Sequence, residues 1–244
     1  MSGMQSKLVR AFWIALALLF AADLVLILHY TPDERSMGVI QKIFYLHLPV
    51  AINTFLACLT AFVASIGYLW QRKGWWDDLA AAAARVAVQL CAAVLATGMV
   101  WGRAAWGVWW TWSPRLTFSL ILFLLYVVYL VIRSSVEGRD RRAVIGSVYA
   151  IIAFLDVPLV WLSARLLPDI HPGSIQLEPA MKLTLAASFV PVTLLAAGLI
   201  FTRFALNRTD SVADNSAPAN PPRNVLTPSF AAGAKAIPNT GGAI

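Results

Sequence analysis

Apolar residues run through the chain in six blocks, and charged residues collect between them. Each block is close to the twenty residues a helix needs to cross a bilayer core. The pattern predicts spans over residues 11–28, 48–70, 79–100, 118–132, 143–164 and 181–201. The expected fold is an all-α integral membrane protein of six transmembrane helices. A tryptophan-rich loop joins the third helix to the fourth.

Composition supports this reading: 59% of residues are hydrophobic and only 13% charged, outside the range of ordinary soluble domains. The first block is read as an uncleaved span, because bulky Phe20 spoils the small-residue pattern a signal peptidase needs. Basic residues fix the orientation. Ten lie near the span ends on one side and six on the other, with Arg139, Arg141 and Arg142 the clearest group. The rule that positive charge stays inside then gives N-in, C-in. Residues 1–203 form the membrane domain. Residues 204–244, rich in Pro, Ala, Asn, Ser and Gly, are expected as a disordered cytoplasmic tail.

The net charge of +7 does not indicate nucleic acid, since it is dispersed between spans rather than gathered in a stripe. Cys58 and Cys91 both lie in apolar runs, and neither belongs to a CxxC or CxxCH motif. Both read as buried structural cysteines.

With this orientation the outer face gathers His29, His47 and His171, together with five of the ten tryptophans. Those five lie in WGRAAWGVWWTWSPRLT, residues 101–117. An interfacial belt is one explanation, since Trp favours the headgroup region. It suits Trp70, Trp75 and Trp76 better than a single crowded loop. The other explanation is a platform for a large flat apolar ligand, built by Trp101, Trp106, Trp109, Trp110 and Trp112. The spacing of Trp106, Trp109 and Trp110 predicts a short amphipathic helix lying on the membrane. Arg103 and Arg115 bracket the platform; they either pair with ligand carboxylates or snorkel to the interface.

A histidine at a span end is commonly a solvated interface residue. His47, in FYLHLPVA, and His171, in DIHPGSI, are better framed, by Pro49 and by the Pro172–Gly173 turn. Two neutral imidazoles approaching a flat cofactor from opposite faces would supply axial iron ligands. His29 has no such frame and stays unassigned. Zinc would want a four-ligand cluster, which is missing. No catalytic triad, phosphate-binding glycine loop or HExxH is present. Asp23, Arg85 and Asp156 fall within spans, where ionisable groups are costly. Asp23 and Asp156 lie about 20 Å from the inner ends of their spans at helical rise. They read either as structural polar contacts, with a kink at Pro158, or as functional groups.

WGVWWTWSPRLT resembles the tryptophan-rich signature of the haem-handling proteins of cytochrome c assembly. Six spans and two framed outer histidines are most similar to the haem exporter protein C (CcmC) branch of that family. The likeness runs from about residue 38 to 201. The resemblance implies a non-enzymatic protein of the bacterial inner membrane that binds b-type haem non-covalently and transiently at the periplasmic face. By motif position, His47 and His171 would be the axial ligands and the Trp-rich loop would cradle the ring. The implied partners are a membrane-anchored periplasmic haem chaperone, which captures haem through its own histidine, and the ABC-type ATPase and membrane subunits of the same system. One position departs from the pattern: Ser113 stands where the family usually has aspartate. This changes the charge beside Arg115 and puts chaperone docking in question.

Two other function classes compete with haem delivery. A cofactor-free solute transporter would rely on Asp23 and Asp156 near the midplane. A membrane haem enzyme would need histidines inside its spans, and none is found there.

Overall fold

The computed structural model describes residues 3–167 and 177–216. Among these the chain is helical apart from connecting turns and one isolated bridge between Glu34 and Gly38. Six helical segments are long and apolar enough to cross a membrane. The helices are α1 (Gly3–Val25), α2 (Phe44–Gln71), α3 (Gly74–Trp106), α4 (Pro114–Ser135), α5 (Arg139–Phe154), α6 (Asp156–Leu166) and α7 (Pro179–Ser216). A wide π-type turn, Leu26–Tyr30, extends α1, and a tight 3-10 turn, Val39–Ile43, leads into α2.

The core lies between α2 and α3, which are joined across Arg72 and Lys73. Their contact is made of small residues: Ala57, Cys58 and Ala61 face Ala83, Ala84, Ala87 and Cys91, all buried. In lipid, such residues let backbones approach closely and gain dispersion energy where no hydrophobic drive exists. Tyr126, Tyr129 and Leu122 of α4 close this core from one side. Both cysteines are buried and unpaired, as expected of structural thiols.

The fifth span is two helices. α5 ends at Phe154 and α6 begins at Asp156. Pro158 explains the break, because it has no N–H to offer the Phe154 carbonyl and its ring crowds that same group. α5 packs on α2 and α4, whereas α6 packs chiefly on α4. The break therefore withdraws the end of this span from α2.

Charged groups lock the end of the bundle where α3 begins. Asp77 and Asp78, both buried, were not singled out from the sequence. Asp77 accepts two hydrogen bonds from the Arg133 guanidinium, at 2.5 and 2.9 Å. Asp78 accepts one from the Ser211 hydroxyl at 2.9 Å and lies 3.6 Å from Arg139 and 3.9 Å from Arg208. Asn207 donates to the Asp78 carbonyl at 2.9 Å, and Arg85 donates to the Asn207 side chain at 3.1 Å. These contacts carry α7 past the boundary expected at residue 203, as far as Ser216. Residues 217–244 of the expected tail lie outside the described residues.

The opposite end is closed by the segment before α2. Lys42 pairs with Asp33 at 3.1 Å and donates to the Leu28 carbonyl at 3.0 Å. Thr31 and Thr184 share a buried hydroxyl hydrogen bond of 2.8 Å that ties this segment to α7. Glu34 accepts from the Ser36 hydroxyl and from the Met37 and Ser36 amides. Those donors hold its carboxyl below the usual range. Beneath the segment, Ile27, Phe44, Tyr45, Trp101 and Met181 form a second apolar cluster.

Candidate functional site

Under this cluster, α2, α3, α4 and α6 enclose a cavity of about 370 Å³. It lies on the side of α2 from which the Pro158 break withdraws α6. Its wall on α3 runs from Trp101 to Cys91, about 15 Å at helical rise. The walls are mostly apolar, with Leu48, Phe55, Leu95 and Val160 among them. No carboxylate lines it among the described residues, while Arg115 and Arg165 both do. A deep apolar slot with two guanidiniums near one end suits an apolar body that carries anionic groups on one edge.

His47 lines the cavity from the first turn of α2. Its ring is held from α3, with Nδ1 2.8 Å from the Thr97 hydroxyl oxygen. Gly98, the next residue, leaves room for the adjacent ring atom: a Cβ there would come within 3.3 Å of the His47 Cε1. Trp101, one turn further along α3, stands edge-on to the imidazole, with centroids 5.7 Å apart and planes at 67°. The indole is buried, and its Nε1 has no hydrogen-bond partner among the described residues.

The five tryptophans do not form one surface. Trp101 lines the cavity, and Trp106 stacks on it at 6.2 Å and 30°. Trp110 and Trp112 make an edge-to-face pair at 5.8 Å. Trp109 and Trp112 are exposed, at 59% and 75%. The short helix expected to carry Trp106, Trp109 and Trp110 on one face is absent. α3 ends at Trp106 because Gly107 takes a left-handed conformation, φ 78°, and its N–H bonds back to the Arg103 carbonyl. Pro114 starts α4 only seven residues later, and the intervening residues are not helical.

The arginines also divide. Arg115, in the first turn of α4, faces the cavity. Arg103 is exposed and donates to the Gly107 carbonyl at the end of α3. Cations are favoured at that end of a helix, so this placement closes the helix and does not line the cavity. Ser113 occupies the N-cap position of α4 in an extended conformation, with Pro114 at the first helical position, as its sequence implies. Its hydroxyl nevertheless makes no capping bond and has no partner among the described residues.

His29 is exposed on the π-type turn. His171 lies outside the described residues. The charges inside the spans each meet a partner or bury. Asp23 accepts from Ser188 at 2.8 Å, linking α1 to α7; Asp156 is buried near the start of α6. Neither lines the cavity.

Sequence reasoning missed Trp161 and Arg165, which complete the α6 wall. The guanidinium sits 3.9 Å above the indole centroid. The signal was available: residues four apart share a helix face, and both follow the Pro158 break.

Comparison with known proteins agrees with this architecture. Residues 1–216 match the family described as CcmC, heme exporter protein C. The chain is 33% identical over 189 residues to the heme exporter protein C of Paracoccus denitrificans, covering 73% of this chain and 76% of the relative. The Escherichia coli K12 protein of the same description is 31% identical over 180 residues, 71% of this chain and 73% of the relative. That of Haemophilus influenzae is 30% identical over 170 residues, 69% and 68% respectively.

Proposed function

Because the chain belongs to the heme exporter protein C family, we propose that it is a haem-handling membrane protein of cytochrome c maturation. It holds haem at the periplasmic end of the bundle, in the inner membrane of a bacterium, and passes it to a periplasmic haem chaperone. It does so as a binding protein, with any ATP-driven step supplied by an associated ABC-type ATPase and its membrane subunits. The N-in, C-in orientation that puts this end outside rests on the ten-to-six distribution of basic residues.

The observation that carries the reading is the cavity lined together by His47, Trp101, Arg115 and Arg165. Haem needs an imidazole for its iron, an apolar slot for its ring and cations for its two propionates, and this donor set fits all three. His47 would supply one axial nitrogen and His171, from the segment after α6, the other. Trp101 and Trp106 would bound the ring, and the unpartnered Trp101 N–H would give an edge a donor. Arg115 and Arg165 would orient the propionates.

Trp109, Trp110 and Trp112 lie beyond the cavity lining and are better suited to meeting the chaperone or the headgroups. Binding is non-covalent and transient because the cargo has to be passed on; Cys91, at the far end of the α3 wall, belongs to no CxxCH attachment motif. Arg103 serves by holding the end of α3, and through it the Trp101–Trp106 pair.

The test is an absorption spectrum of the purified protein with added haem. A Soret band is expected in the wild type and a sharp loss in His47→Ala and in His171→Ala. A wild-type protein that gains no haem band after supplementation would overturn the reading.

A further inference from the structure

We infer that Thr97 is a positioning residue that fixes the tautomer of His47, placing the proton of the neutral ring on Nδ1 and its lone pair on Nε2. This rests on His47 being a haem ligand and adds how the ligand is prepared before haem arrives.

Proton counting fixes the direction of the Thr97–His47 contact. The Thr97 hydroxyl has a single proton. Its oxygen lies 2.7 Å from the Ala93 carbonyl oxygen and 3.1 Å from that of Val94. A carbonyl offers no proton, and two oxygens that close require one between them. The hydroxyl proton is therefore committed to the turn of α3 behind it.

The same oxygen lies 2.8 Å from His47 Nδ1. At this contact Thr97 can only accept, so Nδ1 must carry the imidazole proton. A neutral imidazole then has its lone pair on Nε2. The hydrogen bond also raises the basicity of the ligating nitrogen and fixes the plane of the ring.

Gly98, the next residue, confines the ring from the side. Even the smallest side chain there would stand 3.3 Å from Cε1, closer than carbon atoms at their optimal separation. Thr97 and Gly98 thus set protonation and pose together from one turn of α3. The arrangement has the logic of an outer hydrogen-bond partner that orients a metal-bound histidine. Such a role is invisible in the sequence, where Thr97 and His47 are fifty residues apart.

The test uses the full chain in detergent, without haem and then with it. In the haem-free protein, ¹⁵N NMR of labelled histidine should place His47 Nδ1 in the protonated range and Nε2 in the unprotonated range. The His47 signals are identified by their loss in His47→Ala. Thr97→Val keeps shape but removes the acceptor, and should shift His47 toward the other tautomer or a mixture. Thr97→Ser should retain the wild-type pattern. With haem, Thr97→Val should lower affinity about 10- to 100-fold, as loss of such a partner typically does, and move the reduction potential, whereas Thr97→Ser should do neither.

Wild-type His47 protonated on Nε2, or Thr97→Val unchanged in both tautomer and haem spectrum, overturns the inference. If His47→Ala binds haem with the wild-type spectrum, it is the ligand assignment that fails. The tautomer measured without haem then still decides the geometry of the Thr97 contact by itself.

Discussion

Arg165 stands over Trp161, its guanidinium carbon 3.9 Å from the indole centroid, and both residues line the cavity. Stacking of this kind orients a guanidinium while leaving its edge N–H groups to bind. Arg165→Gln is expected to keep the fold and weaken haem binding roughly tenfold, about the worth of one charge-assisted hydrogen bond. Haem dimethyl ester, which lacks the carboxylates, should bind wild type and variant alike. Equal loss with both porphyrins would show that Arg165 acts on the cavity shape instead.

The tryptophans should separate into two functional groups. Trp101 is buried at the meeting point of Phe44, His47 and Trp106. Trp101→Ala should cost about 3–5 kcal/mol of stability, in the range for buried large-to-small changes, and abolish haem retention. Trp112→Ala, at a side chain 75% exposed, should shift stability by no more than about 0.5 kcal/mol and leave the haem spectrum unchanged. Thermal unfolding and haem titration of both variants decide it. A Trp112→Ala protein that loses haem as Trp101→Ala does would mean that the outer tryptophans close over the ring.

The six spans were legible because hydropathy and length alone mark a helix that must satisfy its own backbone in lipid. The imidazole and indole of His47 and Trp101 were legible as candidates because chemistry-bearing residues are sparse in so apolar a chain. What could not be read was which of them meet. The sequence does not mark Gly107 as a helix end, yet its positive φ stops α3 between Trp106 and Trp109. Asp77 and Asp78 fall just before the expected start of the third span, and their partners are 56 and 133 residues away. Thr97 and Arg165 belong to the site only through the packing of α3 and α6 around α2 and α4. Long-range pairing of this kind leaves no periodic trace.

The end of α7 should depend on Asp78. Without that carboxylate, Ser211 loses its acceptor and Arg139 and Arg208 lose their shared anion. Asp78→Ala is expected to raise amide hydrogen exchange across residues 205–216 while leaving the segment 185–200 protected. Unchanged exchange would mean that the Asn207 contacts with Asp78 and Arg85 suffice to hold the helix.

Asp77 and Arg133 form a buried pair, and breaking one half should cost more than removing both. Arg133→Met leaves a buried carboxylate without its partner, at about 3–5 kcal/mol. Adding Asp77→Leu to Arg133→Met should recover most of that loss, because an apolar pair of similar volume is often nearly neutral. A double-mutant cycle on thermal stability measures the coupling directly. Additive losses would show that the two side chains serve α3 and α4 independently.

Ser113→Asp tests the position where this chain departs from the usual aspartate. Ser113 stands at the N-cap of α4, and its side-chain oxygen is buried without a partner among the described residues. A carboxylate there can accept from the amides of the first turn and face the positive end of the helix. The expected gain is about 0.5–1 kcal/mol, or a rise in Tm of about 1–4 °C. The same charge sits two residues from Arg115, which lines the cavity, and it offsets the positive potential that attracts propionates. Haem affinity should therefore fall a few-fold, and the difference should shrink as salt screens the added charge. Stability that rises while affinity falls would separate the two roles of this position. A gain in both would mean that ordering the start of α4 matters more to the cavity than the charge at its mouth.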